Sequence, residues 1–265
     1  MPGRADRRGA LRGALHAWTE GGPYLLGARA LRRGAETLQH AAETVAAAGA
    51  ARVVRDARPP TLEQAIEFAE TFDYAGVGIR PMQVPSELRA LLELLATEPP
   101  RAVVEIGTGS GGTLFLFAAV AQPDAVLVSI DAANTDGVFG GRRAYKRRAR
   151  LYRALGAPEQ RVAFIAADSH RDETRRRVEE ALAGRPVDFL FIDGDHSREG
   201  VEADFRMYSP LVRKDGLVTF HDIVPGPAEY VGGVPEFWRR IRDDDSLEFV
   251  DDWDQGGCGI GVVRL

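Results

Sequence analysis

A chain of 265 residues with 45% hydrophobic composition can bury one full core and carry an appended segment, but hardly two large domains. A net charge of -5 and a pI near 5.6 give no electrostatic reason to expect nucleic acid, and no apolar run approaches the roughly 20 residues of a membrane-spanning helix. The single cysteine, Cys258, excludes an intramolecular disulfide framework and points to a reducing, cytoplasmic compartment, and the Arg-rich N-terminus lacks the apolar core of a secretory signal.

Residues 1–55 are rich in Ala, Arg and Gly and carry nine Arg against four acids. Helices whose apolar faces are mostly alanine dock weakly, so this extension is either a dimerisation element, with the chain a possible homo-oligomer, or an amphipathic lid or partly disordered tail. ARPP at 57–60 punctuates the chain, and residues 56–265 read as one domain. Thr61 caps a helix in TLEQAIEFAETF, and after the connection AGVGIRPMQVP, Ser86 caps a second in SELRALLELLATE. Five apolar strands follow, RAVVEIG, AVLVSID, RVAFIAAD, VDFLFID and GLVTFHD, alternating with helical stretches. LEFVDDW and CGIGVVRL, joined by DQGG, read as an antiparallel hairpin. The expected fold class is α/β: a Rossmann-like, mostly parallel seven-stranded sheet with helices on both faces and an antiparallel C-terminal hairpin.

In VVEIGTGSGGTLF the first of these strands runs straight into Gly107, Gly109, Gly111 and Gly112, with a helix from Thr113. Such a turn lets the backbone approach a ligand and offers the amides of a helix start, although a tight turn without a ligand has the same composition. AVLVSID ends on Asp131, 24 residues beyond Gly107, where a carboxylate can accept from ribose hydroxyls, and the next strand ends on Asp168, where an adenine amino group would lie. Glu105, two residues before the first glycine, would repel a pyrophosphate but suits an ammonium and a sulfonium. This acid favours S-adenosylmethionine over a nicotinamide dinucleotide, and an NAD-dependent Rossmann oxidoreductase is the alternative.

These segments, together with SIDAANTDGVFGG, FIDGDHSREGVEADFRMYSPLVRKDGLVTFHDI and GVPEFWRRI, resemble the class I S-adenosylmethionine-dependent methyltransferases. Within that class they are similar to the branch that holds metal-dependent sugar O-methyltransferases of antibiotic pathways and proteins labelled cephalosporin hydroxylases. The resemblance covers about residues 80–265 and leaves residues 1–55 aside. It implies that Gly107, Thr108, Gly109, Gly112, Asp131 and Asp168 bind the cofactor. It also implies a divalent metal, magnesium or manganese, at Asp193 and Asp222, a histidine base at His196, and a small hydroxylated acceptor such as a sugar or vicinal diol. His221 departs from the pattern, because an acid is usual there. Imidazole suits zinc, manganese or iron better than magnesium, so His221 is either a third metal ligand or itself the base in a site without metal. A cofactor-binding protein without methyl transfer stays open for the same reason.

Asp195 reads as the cap of the helix SREGVEADFRMY, or as a group that tunes His196. His170 lies over the adenine or caps a surface helix. IVPGPAEYVGGVPEFW and NTDGVFGGRRAYKRR are candidate lids around the acceptor, with Tyr230 and, in the second, Phe139 and Tyr145; Phe237 and Trp238 read as core.

Overall fold

The structure is a computed structural model and describes residues 37–57, 59–132 and 148–265. In chain order the elements are α1 (37–57), α2 (Leu62–Thr71), β1 (Asp73–Tyr74), β2 (Val77–Gly78), α3 (Pro85–Thr97), β3 (Ala102–Ile106), α4 (Gly112–Val120), β4 (Val126–Asp131), α5 (148–153), β5 (Arg161–Ala166), α6 (Asp172–Leu182), β6 (Val187–Ile192), α7 (Arg198–Tyr208), β7 (Val212–His221), α8 (Ala228–Val231), α9 (Val234–Ile241), β8 (Leu247–Phe249) and β9 (Ile260–Arg264). Residues 46–265 form one compact unit. Ala50, Ala51 and Val54 of α1 are buried in its core.

Seven strands form the main sheet in the order β5-β4-β3-β6-β7-β9-β8. The first five are parallel neighbours, and β9 runs antiparallel to both β7 and β8. The expected sheet and its closing hairpin are therefore present. Alternation along the pleat divides the core in two. Val103, Leu127 and Phe191 join the helices α2, α3 and α4 on one face, while Val104, Ile106 and Val128 meet α6, α7 and α9 on the other. β3 is buried at every position because it lies between two strands and under helices on both sides.

Thr61 does cap α2, its side chain accepting from Gln64 N. Ser86 does not cap α3: the helix starts at Pro85, whose fixed φ suits the first helical position, and Ser86 Oγ donates instead to Asp251 at 2.9 Å. Phe237 and Trp238 are core, as expected. The connection after α2 holds the short β1–β2 hairpin. The expected lid NTDGVFGGRRAYKRR, with Phe139 and Tyr145, lies outside the described residues except for Arg148, as does most of the N-terminal extension.

Candidate active site

At the carboxyl ends of the parallel strands lies a cavity of about 970 Å³. Gly107, Thr108, Gly109, Gly112, Asp131 and Asp168 line it, and so do Asp193, His196, His221 and Asp222. Parallel strands in one register bring their ends to one edge, which is why carboxylates distant in sequence meet here.

The glycine loop turns with φ of +100° at Gly107, +50° at Gly109 and +96° at Gly111. At Gly107 a Cβ would strike the backbone carbonyl of Asp193, so only glycine lets the first loop pass the end of β6. Asp131 organises this loop: its Oδ2 accepts from Thr108 N at 3.0 Å and Gly109 N at 3.1 Å. Ser110 and Tyr152 pin the loop from outside, donating to the carbonyls of Arg80 and Gly109.

Glu105 does not face the cavity. The pleat turns it to the side of Val103, under α4, where it is fully buried and accepts from Thr113 Oγ1 and Ser129 Oγ, each at 2.5 Å. Burial pushes its pKa up to about 8, against the pull of the Ser129 and Thr113 hydrogen bonds. At neutral pH it is largely protonated, so the repulsion of a pyrophosphate assigned to it in the sequence has to come from other acids. Asp168 Oδ1 accepts from His170 N and Oδ2 from Arg171 Nε. His170 lines the cavity, and its Nε2 stands 3.3 Å from Asp204, a carboxylate with no exposure. The Asp204 hydrogen bond raises His170 to about 9.

β6 and β7 are parallel neighbours, and the cluster at their ends is tight. Asp193 Oδ1 lies 3.2 Å from His221 Nδ1 and 3.3 Å from His196 Nε2; Asp222 Oδ2 lies 3.4 Å from His221 Nδ1 and 3.3 Å from His196 Nδ1. Two imidazoles thus bridge two carboxylates. Burial works to raise Asp193, but the His221 charge and the hydrogen bonds of both histidines outweigh it and hold the carboxyl well below its ordinary range. The Asp193 hydrogen bond raises His196 to about 9. His221 is raised as well, because the Asp193 charge outweighs its burial.

Asp195 is not the cap of α7. Ser197 is, accepting from Gly200 N at 3.0 Å, while Asp195, two residues earlier, accepts from Ser197 N. Tyr230 is exposed at the cavity mouth and its carbonyl accepts from His196. Two contributors were not reached by the sequence reading. Gln83 reaches in from the stretch before α3 and donates from Nε2 to Asp193 Oδ2 at 2.8 Å. Cys258 lines the cavity beside Asp222; a cysteine set among glycines in GGCG is the feature that could have marked it.

Ligand atoms of Asp193, His196 and Asp222 lie within 4.8 Å of one another, as do those of His221, Asp222 and Cys258. Among the described residues His221 Nε2 is buried without a hydrogen-bond partner, and a metal ion is one group that would satisfy it. A divalent ion therefore fits these residues.

The strand order is that of the methyltransferase fold. Residues 104–223 match a family described as Methyltransferase domain. Among solved structures, an O-methyltransferase from Bacillus cereus in complex with SAH is similar over 81% of this chain and 96% of its own, at 19% identity and a TM-score of 0.50. A provisionally assigned caffeoyl-CoA O-methyltransferase from Staphylococcus aureus is similar over 78% and 93%, at 18% identity and a TM-score of 0.54. Residues 104–223 are thus similar to methyltransferase domains, and the solved structures share the fold of the chain.

Proposed function

We propose that the protein is an O-methyltransferase that moves the methyl group of S-adenosylmethionine to a hydroxyl of a small acceptor, a sugar or other vicinal diol of a natural product. The observation that carries the cofactor is the charge of the cavity: six carboxylates and, among its described lining residues, no lysine or arginine. A ligand with an ammonium and a sulfonium centre is drawn to that field, and the pyrophosphate of a nicotinamide dinucleotide is repelled by it. The amides a pyrophosphate would need, those of Thr108 and Gly109, already donate to Asp131. The Bacillus cereus neighbour, named an O-methyltransferase and holding SAH, supports the same choice.

In this reading Gly107, Thr108, Gly109 and Gly112 cradle the cofactor, Asp131 accepts from its ribose and Asp168 from its adenine. Glu105 acts from beneath the loop, holding Ser129 and Thr113. Transfer is an in-line displacement: the acceptor oxygen bonds the methyl carbon as the carbon–sulfur bond breaks, S-adenosylhomocysteine leaves, and the hydroxyl proton goes to a base. His196, partly exposed at the cavity and held by Asp193 and the Tyr230 carbonyl, is that base. It keeps its own proton while the Asp193–Asp222 pair is uncompensated, and accepts one once the pair is compensated. A divalent ion held by Asp193, His221 and Asp222 would supply that compensation and lower the pKa of the attacking hydroxyl. A cytoplasmic setting, argued from the single cysteine, belongs to the same reading.

Purified protein given methyl-labelled S-adenosylmethionine and a panel of vicinal diols should release S-adenosylhomocysteine and a labelled methyl ether. His196→Ala should lose about a hundredfold in turnover with cofactor affinity unchanged. Calorimetric binding of NAD without binding of S-adenosylmethionine would sink the reading.

A further inference from the structure

The turn before β9 carries a cysteine where its backbone favours glycine. Gly256, Gly257 and Gly259 all have positive φ, and Cys258 between them has φ +60°. Asp222, just past β7, is also left-handed, with φ +63°. A side chain in that region is strained, and such outliers persist where the surroundings hold them. Here they hold each other. β7 and β9 pair antiparallel with His221 opposite Ile260, and the ladder continues outward as Val224 N donates to Cys258 O at 2.9 Å. Asp222 Oδ1 then accepts from Cys258 N at 2.9 Å. A fourth glycine would make this turn with less strain, so what the cysteine adds is its thiol.

The thiol belongs to a set. Ligand atoms of Cys258, His221 and Asp222 lie within 4.8 Å of one another. His221 is only 6% exposed, and its Nε2 has no hydrogen-bond partner among the described residues, which is costly for a buried polar atom unless a ligand satisfies it. Cys258, His221 and Asp222 all line the cavity, so an ion among them would keep open positions toward the acceptor.

We propose that His221, Asp222 and Cys258 bind a borderline first-row transition ion of the zinc, cobalt or iron(II) class through sulfur, nitrogen and oxygen, in preference to magnesium. This rests on the metal part of the function proposed above and changes the ion it calls for. Thiolate and imidazole suit that class, whereas magnesium asks for oxygen ligands and retains its water.

The full chain, stripped of metal with a chelator and titrated with Co²⁺, reports on the ligands directly. The expected result is intense visible ligand-field bands, together with a near-ultraviolet thiolate-to-cobalt charge-transfer band that is absent in Cys258→Ala. Excess Mg²⁺ should leave these bands in place. Cys258→Gly supplies a control for folding: relieved of strain, it should melt at or above the wild type when metal-free, yet lose the rise in melting temperature that Zn²⁺ gives the wild type and bind Zn²⁺ at least about tenfold more weakly. Cobalt bands without the charge-transfer band, displacement by Mg²⁺, or no cobalt binding would each overturn the inference. The methyl-transfer reading is judged separately, by S-adenosylhomocysteine formation in the metal-free and Mg²⁺-loaded enzyme.

Discussion

Gln83 Nε2 donates to Asp193 Oδ2 at 2.8 Å, joining two residues 110 positions apart in the chain. The amide is itself held, because its Oε1 accepts from Met82 N at 3.1 Å. Asp193 therefore presents Oδ1 to the two histidines and Oδ2 to a neutral donor, which sets the rotation of its carboxylate. Gln83→Ala should leave S-adenosylmethionine affinity unchanged in calorimetry and lower turnover about tenfold, equivalent to ~1.4 kcal/mol. Gln83→Glu should be worse, since it places a like charge beside Asp193. Weakened cofactor binding with unchanged turnover would contradict this role.

Asp131 ties the glycine loop to β4 through two amides at 3.0 and 3.1 Å. Hydrogen bonds to a charged acceptor contribute about 1.5–3 kcal/mol each. Asp131→Ala should weaken S-adenosylmethionine at least about tenfold, with Asp131→Asn between the two because it keeps an acceptor without the charge. Equal affinity across the three proteins in calorimetry would exclude Asp131 from the cofactor site.

Glu105 predicts a pH dependence of stability. Its pKa rises from an ordinary 4.5 to about 8 on folding because burial disfavours the charge. Below the ordinary value the group is protonated in both folded and unfolded chains and adds no penalty. As the pH climbs from there to about 8, the unfolded chain ionises and the folded one does not, so stability is lost, on the order of a few kcal/mol in all. Glu105→Gln keeps a hydrogen-bonding side chain of the same size and should flatten that part of the profile. Denaturant melts across the range would test it, and parallel profiles for the two proteins would count against a raised pKa.

Gly107 admits no side chain, since its φ of +100° and the Asp193 carbonyl both oppose one. Gly107→Ala should destabilise by roughly 1–3 kcal/mol or more and abolish cofactor binding, as the loop and the end of β6 are forced apart. Thermal melts read the first effect and calorimetry the second. A stable variant with normal affinity would show that the loop has another way past β6.

The strand ends were legible because buried parallel strands are continuous apolar runs and the polar residue that stops each run stands at one edge of the sheet. That logic reaches Asp131, Asp168, Asp193 and Asp222, and it predicts that the last two are neighbours. It does not reach the rotation of the pleat. Whether Glu105 faces the cavity or α4 depends on which face Val103 packs against, and the run AVVEI is apolar on both. Nor does it reach contacts between distant segments, such as Gln83 with Asp193 or Cys258 with Asp222, where no spacing in the chain encodes the approach. The cap of α7 was a matter of two residues: Asp195 and Ser197 are both good caps, and only the backbone selects Ser197.

β9 follows every other strand in the chain yet lies inside the sheet, between β7 and β8. Domains tend to fold as the ribosome delivers them, N-terminal parts first. Until residues 260–264 emerge, β7 keeps one open edge, and an open edge strand can pair with another chain. The turn bearing Cys258 comes only just ahead of that strand. The cavity is thus finished in one late event, when β9 slots in beside β7, and a nascent chain halted short of it would be both inactive and adhesive.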